Sequence, residues 1–535
     1  MWAEASGDKP AVIVDADSGG RPTTLTFAAL DAQVNRAAHA LGALGATRGE
    51  RVVWCGPNSP EVLVAIHAAR KADVVAVPLS YRFNAEEMQY VIDNSDATVV
   101  VVDAEQAPLV ASVRDRLPKV RSVVGFGGDV PDGCARWDDV LAGQPDTEPG
   151  EVSGDPRGSS MIYTSGTTGK PKGALRTRTD PELVKVLVAE LRLVVGDEVH
   201  ITTGPLYHSG PLAFAALTHT LGGSIVLLRK FDASAWVRLV KAYRVTNSFS
   251  APTQLKRIVS LPAAELADAD LASMRCLIAN AAPVPYPLKQ EIVEKLGDGF
   301  LFEVYGSTEL GILTVLKPAD QLRKPGSCGR TYGGQRFRIV KDDGTEAAPG
   351  EPGELFISTP FAMDGYHATD RQLSQLDAKA EAEVEKAERA EESERAEPET
   401  SARPVRWKSV GDVAYADDEG YLHISDRKTD MIISGGVNIY PAEIEAVLYA
   451  HPQILDAAVL GVADDEWGER VYAIVQAKPG ETLDTEELAA FVAERVASYK
   501  RPRAYEVRDA LPRTESGKLL KRVLRDELRS RAGAS

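Results

Sequence analysis

The sequence predicts an α/β protein in two parts: a large N-terminal domain of layered βαβ sheets with a β-rich subdomain, and a small α+β domain at the C-terminus. Three observations carry this. The chain has 535 residues, more than one hydrophobic core ordinarily serves. Strand-like and helix-like segments alternate through the first half. After about Tyr332 that alternation gives way to short strands and turns.

The alternation is clearest early. Arg51 to Cys55 is a short apolar run, and Pro60 to Lys71 has helical periodicity with Ser59 placed as its N-cap. Asp73 to Pro78 is the next strand, so the three form a βαβ unit and imply a parallel sheet. Ala97 to Val102, Ser224 to Leu228 and Met274 to Ala279 continue as buried strands. Arg336 to Val340, an Asp-Asp-Gly turn and Glu354 to Ser358 read as the β-rich subdomain. In the last ~105 residues, Ala457 to Leu460 and Val471 to Gln476 read as strands. There Asp484 opens a helix over Glu486 to Ala497. The expected division is 1–428 and 429–535.

Residues 371–404 stand apart: Glu, Ala, Arg and Lys dominate and aromatics are nearly absent. Such a stretch buries no core of its own. It reads as a solvated charged insertion, helical or disordered, with i,i+4 charge pairs over Ala378 to Ala396.

Composition excludes some functions. The 44% hydrophobic fraction fits a globular chain. A net charge of −17 argues against nonspecific nucleic-acid binding, which needs a basic footprint. Cys55, Cys134, Cys276 and Cys328 are widely spaced and read as free thiols of a reducing compartment. Met1 to Glu4 lacks the basic and apolar regions of a signal peptide, and no run approaches a spanning helix. The expectation is a cytoplasmic protein without a transmembrane segment. A homodimer is compatible with the sequence, which does not fix the oligomeric state.

The most informative stretch is Tyr163 to Gly173, YTSGTTGKPKG. It concentrates glycines (Gly166, Gly169, Gly173), hydroxyls (Thr164, Ser165, Thr167, Thr168) and lysines (Lys170, Lys172). Glycines let backbone approach a ligand, successive N–H groups form an anion nest, and hydroxyls and ammoniums add donors. That combination suits a polyphosphate. It is not a Walker A loop, because only two residues separate Gly166 from Gly169 and Pro171 follows Lys170.

Five further landmarks carry chemistry. Tyr305-Gly306-Ser307-Thr308-Glu309 offers an aromatic face, hydroxyls and a carboxylate suited to Mg²⁺. Its bland reading is a strand end turning into a helix, with Glu309 solvated. Asp412, in Ser409-Val410-Gly411-Asp412, is an acceptor-only group suited to two ribose hydroxyls, although its local sequence reads first as a turn aspartate before a strand. Asp426 to Asp430 is a charged linker between apolar segments. Pro512 to Lys518 places one lysine after a Ser-Gly turn, before a basic helix over Leu519 to Arg529. His208 and Asn280-Ala281-Ala282-Pro283 complete the set.

Together these motifs resemble the acyl-adenylate-forming superfamily of AMP-binding enzymes: acyl- and aryl-CoA ligases, luciferases and peptide-synthetase adenylation domains. The resemblance runs from about Asp8 to Leu528, broken only by the insertion. It departs at Val410, where the family has threonine, and at Asn280, where many relatives begin Gly-Gly. It implies ATP, Mg²⁺ and CoA as ligands and a small-molecule carboxylic acid as partner. ATP would lie on Thr164 to Lys170, Lys172, Ala281, Ala282, Pro283, Tyr305, Gly306, Thr308, Asp412, Arg427 and Lys518. Thr164 and Glu309 would be the metal-linked positions. Lys518, His208, Glu309 and Arg427 would act in catalysis, Lys518 by bridging the substrate carboxylate and the α-phosphate. His208, Phe214, Phe249 and Asn280 would border the acyl pocket. The small α+β C-terminal domain would be mobile, with Thr429 as the hinge, and Ser434, Gly435 and Gly436 would meet CoA. The implied activity is an ATP-dependent acyl-CoA ligase for an apolar, fatty-type acid. The alternatives are an acyl-AMP ligase that loads a carrier protein, or a non-catalytic nucleotide- or acyl-binding regulator.

Overall fold

The computed structural model describes residues 2–19, 21–150, 160–164, 171–176, 180–267, 269–367, 407–428, 430–435, 437–464, 467–514 and 517–533. The insertion at 371–404, most of the glycine-rich loop (Ser165 to Lys170), Thr429 and Gly436 lie outside the described residues.

Two large sheets build the first part. One has nine strands and runs, from edge to edge, Arg330–Thr331, Gly311–Leu316, Leu301–Ser307, Cys276–Ala279, Asn247–Ser250, Val199–Thr202, Ser224–Val226, Pro10–Val14 and Thr23–Thr26. Its middle is parallel and its two edges antiparallel. The other has eight strands, with Ser160–Thr164, Val75–Leu79, Arg51–Cys55 and Ala97–Asp103 parallel at its centre. The expected βαβ unit is therefore present. Val75–Leu79 begins later than the sequence suggests because Asp73 sits at φ +51° in a turn, its carboxylate held by Arg48 at 2.6 Å.

The helix Pro60–Lys71 starts where expected, with the Ser59 hydroxyl accepting from the Val62 N–H. Val62 to Ile66, Ala68 and Ala69 are all buried. A helix apolar all round must be covered on every side. It shares one core with Phe27–Ala43, Val12 of the first sheet and Trp54 of the second, so these helices lie between the two sheets.

The β-rich subdomain is a four-stranded antiparallel sheet, Arg336–Val340, Gly353–Ser358, Asp412–Ala416 and Leu422–Arg427. Beyond Arg427 a smaller sheet forms from Val437–Ile439, Ile432–Ser434, Gly468–Ala477, Ile454–Asp464 and Ala504–Val507. Helices Pro441–Tyr449 and Thr485–Ala493 pack on it, and Asp484 caps the latter as expected. That helix ends four residues earlier than its periodicity suggests. The last helix is Lys521–Gly533, displaced from Leu519 because Leu519 pairs with Arg513 in a β-bridge.

Candidate active site

A cleft of about 2900 Å³ lies where the parallel strands of the first sheet end, the four-stranded sheet abuts and the C-terminal part closes over. Thr164, His208, Phe214, Phe249, Asn280 to Pro283, Tyr305 to Glu309, Asp412, Arg427 and Lys518 all line it. Carboxyl ends of parallel strands are the usual place for a ligand in an open α/β sheet.

The Tyr305 segment is the end of one strand and the turn into the next, antiparallel one. The helix entertained for this point does not form. The register slips between Tyr305 and Gly306, and a Cβ on Gly306 would lie 2.1 Å from the Gly311 carbonyl oxygen. Only glycine permits that approach. The bulge turns the Tyr305 phenol toward the four-stranded sheet, where it donates to Asp412. Asp412 is 6% exposed. Burial pushes its carboxyl up, opposed by Tyr305, Arg427 and Lys518. Burial and the neighbouring Asp412 likewise hold the Tyr305 phenol well above its ordinary value, so it stays a donor. Arg427 Nε lies 3.5 Å from the other Asp412 oxygen.

At the tip of the same hairpin the Glu309 carboxylate is not simply solvated. It accepts from the Tyr366 hydroxyl at 2.8 Å, and Thr164 is also a partner of that tyrosine. Lys172 does not line the cleft; its ammonium stands 5.7 Å from the Tyr366 ring centroid. Arg176 clasps the hairpin from behind, donating to the Thr308 carbonyl at 2.9 Å and to the Phe361 carbonyl. Ser209 and Thr308 exchange a hydrogen bond at 3.0 Å, which ties the hairpin to the His208 segment.

His208 occupies the N-cap position of the helix Ser209–Thr220, yet its ring caps nothing. Its Nε2 is buried with no hydrogen-bond partner among the described residues. Burial lowers its pKa to about 4. The group is therefore a neutral imidazole facing the cleft, with one ring nitrogen that no described residue engages.

Beyond His208 the lining turns apolar. Phe214 and Phe249 stack with centroids 5.1 Å apart, and Val184, Val188, Leu217 and Ile312 pack against them while staying partly exposed. The Asn280 amide donates to the Val304 carbonyl, which ties it to the neighbouring strand. Ala281 holds φ +76°, a conformation rare for a residue with a Cβ.

Lys518 reaches the cleft from the C-terminal part. Burial lowers its pKa, and the Arg427 charge adds to this, against Asp412, Asp430 and Glu309. The preceding Gly517 has φ +80°, and a Cβ there would lie 2.5 Å from Thr253 Oγ1 and 3.1 Å from Ala251 Cβ. The lysine turn is thus docked on the start of the helix Pro252–Val259. One ion pair spans the linker in support of this docking, Lys521 with Asp426 at 3.8 Å. Lys521 with Glu445 at 2.9 Å and Arg525 with Asp430 at 2.8 Å tie the last helix to the C-terminal part itself.

Ser434 and Gly435 do not line the cleft. Ser434 pairs with Val437 in a hairpin, and Gly435 N–H donates to the Trp467 carbonyl. Sequence reasoning missed Tyr366, Arg176 and Ser209. Each acts through a residue remote in sequence, so no local motif marks it.

A family model described as AMP-binding enzyme matches residues 1–367, and one described as AMP-binding enzyme C-terminal domain matches residues 443–518. The chain belongs to the AMP-binding enzyme family. It is 35% identical to feruloyl-CoA synthase of Amycolatopsis sp over 511 residues, 94% of each chain. It is 31% identical to a long-chain-fatty-acid–CoA ligase of Mycobacterium tuberculosis, covering 94% of this chain and 93% of the other. Among solved structures, ATP-bound MatB from Rhodopseudomonas palustris superposes with a TM-score of 0.82 at 28% identity, covering 98% of both chains. Among the described residues no helix is long and apolar enough to cross a membrane.

Proposed function

We propose that the protein is an AMP-forming acid–CoA ligase for an apolar carboxylic acid, with a large domain at 1–428 and a small domain at 429–535. The observation that carries this reading is the meeting of Lys518, Arg427, Asp412, Tyr305 and Glu309 around one cleft with His208, whose Nε2 has no partner among the described residues. A nucleotide needs a ring platform, a ribose acceptor and cations for its phosphates, and all three converge there.

A carboxylate is a poor electrophile because its charge is delocalised. Attack by its oxygen on the α-phosphorus of ATP forms the mixed anhydride and expels pyrophosphate. The protein's task is to hold two anions together and to stabilise the charge that builds on the α-phosphate. Tyr305 covers the adenine, and Asp412 accepts from the ribose. Arg427 and Lys518 offset the phosphate charge, and His208 Nε2 orients the carboxylate. Described groups supply no all-protein cage of three or more metal ligands. That suits Mg²⁺, which favours one or two carboxylates plus substrate phosphates. Glu309, beside Thr164, would hold it, and bound there it would neutralise phosphate charge.

In the second half-reaction the CoA sulfur attacks the acyl carbon, its proton passes to solvent and AMP leaves. Lys518 and Thr514 of its turn line the cleft, while Ser434 and Gly435 do not. The small domain therefore turns about Thr429 between half-reactions, withdrawing one segment and bringing in the other.

The acid's body lies against Phe214, Phe249, Val184, Val188, Leu217 and Ile312, all apolar. A fatty tail and an aromatic ring both suit this wall. Relatives named for feruloyl and for long-chain fatty acids favour one each. A panel of acids graded in length and ring content, read by AMP release with CoA, distinguishes them. Lys518→Ala tests the mechanism: ATP–pyrophosphate exchange is lost, while supplied acyl-adenylate still reacts with CoA. Equal loss of both half-reactions overturns the role of Lys518.

A further inference from the structure

The turn that carries Lys518 is shaped before it reaches the cleft. Pro512 accepts from the Leu520 N–H at 2.9 Å, and Thr514 and Lys518 are joined twice: the Thr514 N–H donates to the Lys518 carbonyl at 2.8 Å, and the Lys518 N–H donates to the Thr514 hydroxyl oxygen at 3.0 Å. Those bonds close a short loop but leave its tilt undetermined. Arg513 sets the tilt. Its Nε and one terminal nitrogen grip both oxygens of Asp456, at 2.6 and 2.5 Å. That nitrogen also donates to the Tyr449 hydroxyl at 3.0 Å, and the other terminal nitrogen donates across the loop to the Gly517 carbonyl. Tyr449 in turn donates to Asp456 at 2.6 Å.

Every anchor is rigid. Asp456 lies in the strand Ile454–Asp464, and Tyr449 ends the helix Pro441–Tyr449. The Arg513 and Asp456 side chains are only 19% and 12% exposed. A planar guanidinium matches a carboxylate in two parallel bonds, which fixes orientation as well as distance. One fork thus joins the domain's sheet, its helix and the peptide oxygen one residue before Lys518.

We propose that Arg513 is a positioning residue for adenylate formation: bound to Asp456 and Tyr449, it holds the Gly517 carbonyl and thereby aims Lys518 into the cleft. Its nitrogens that bond within the chain are all engaged by Asp456, Tyr449 and Gly517, so it acts through the turn. The whole device lies in the small domain and travels with it, so it serves the first half-reaction and is idle in the second. This rests on the ligase reading above.

The experiment compares Arg513→Met, Arg513→Lys and Tyr449→Phe with the wild type in both half-reactions. Arg513→Met lowers the kcat of ATP–pyrophosphate exchange at least tenfold with little change in KM for ATP, and leaves thiolation of a supplied acyl-adenylate within about twofold. Arg513→Lys recovers part of the exchange, since a lysine keeps the charge but loses the second arm. Tyr449→Phe falls least. Amine acylation read by mass spectrometry supplies a measure independent of turnover: Lys518 in the Met variant labels several-fold faster, while Lys478 and Lys500 do not change. Unchanged exchange and unchanged Lys518 labelling in Arg513→Met overturn the proposal. So does an equal loss of both half-reactions, or faster labelling of all three lysines, which would mark general destabilisation. Absence of exchange in the wild type with every acid tested would instead refute the ligase reading, while the labelling still decides whether Arg513 holds the turn.

Discussion

Gly517→Ala separates the fold of the small domain from its docking. The left-handed conformation at Gly517 costs a residue with a Cβ about 1–2 kcal/mol. That cost is internal to the lysine turn, so it is present whichever way the domain faces and lowers thermal stability only. The second cost exists only in the docked orientation. The new methyl would sit 2.5 Å from Thr253 Oγ1 and 3.1 Å from Ala251 Cβ. Overpacking of this kind costs about 1–3 kcal/mol. At about 1.4 kcal/mol per factor of ten, docking weakens roughly 5- to 150-fold. ATP–pyrophosphate exchange should fall by that factor, and thiolation of supplied acyl-adenylate should hold or rise. Thr253→Ala removes the nearer of the two clashing atoms, so the double variant should regain a large part of the exchange. Equal loss in both half-reactions, or no recovery in the double variant, refutes docking of the lysine turn on this helix.

Two further outcomes follow from the site. Tyr366→Phe removes the hydroxyl that donates to Glu309 at 2.8 Å. A hydrogen bond to a charged group contributes about 1.5–3 kcal/mol, so half-maximal exchange should shift to a different Mg²⁺ concentration while KM for the acid stays put; an unchanged Mg²⁺ titration refutes the link. His208 has a pKa lowered to about 4 by burial. A depressed histidine pKa leaves the neutral ring in place above that value. Its stabilising effect on the fold is present above the ordinary value near 6.5 and is lost as pH falls toward 4. The His208 imidazole resonances should therefore show no titration between pH 5.5 and 8; an inflection near 6.5 would mean an exposed ring.

Much of the site was legible residue by residue. Tyr305, Asp412, His208 and Lys518 each offer a chemically apt side chain, and the family resemblance singled out the last three, which their local sequence alone does not. The cleft gathers them from strands and turns as far as 310 positions apart, from His208 to Lys518. Periodicity found the βαβ unit, because burial on a helix or strand leaves a regular trace. It misjudged ends where one residue breaks the pattern, as Asp73 does with its positive φ, or where a bridge such as Arg513 with Leu519 takes residues from a helix.

By itself the sequence determined the order of its parts: a donor-rich glycine loop, an aromatic and carboxylate pentapeptide, an aspartate after a glycine and a late lysine. Residue type and spacing express those parts directly, while the roles expected of the aspartate and the lysine came from the family resemblance. Only the tertiary structure decided which side chains answer one another. Tyr305 finds Asp412 across 107 positions because two sheets abut. Tyr366 turns its hydroxyl to Glu309, Ser209 meets Thr308, and Arg513 locks to Asp456. Such pairings depend on strand order and on how two domains face, and a linear pattern carries neither.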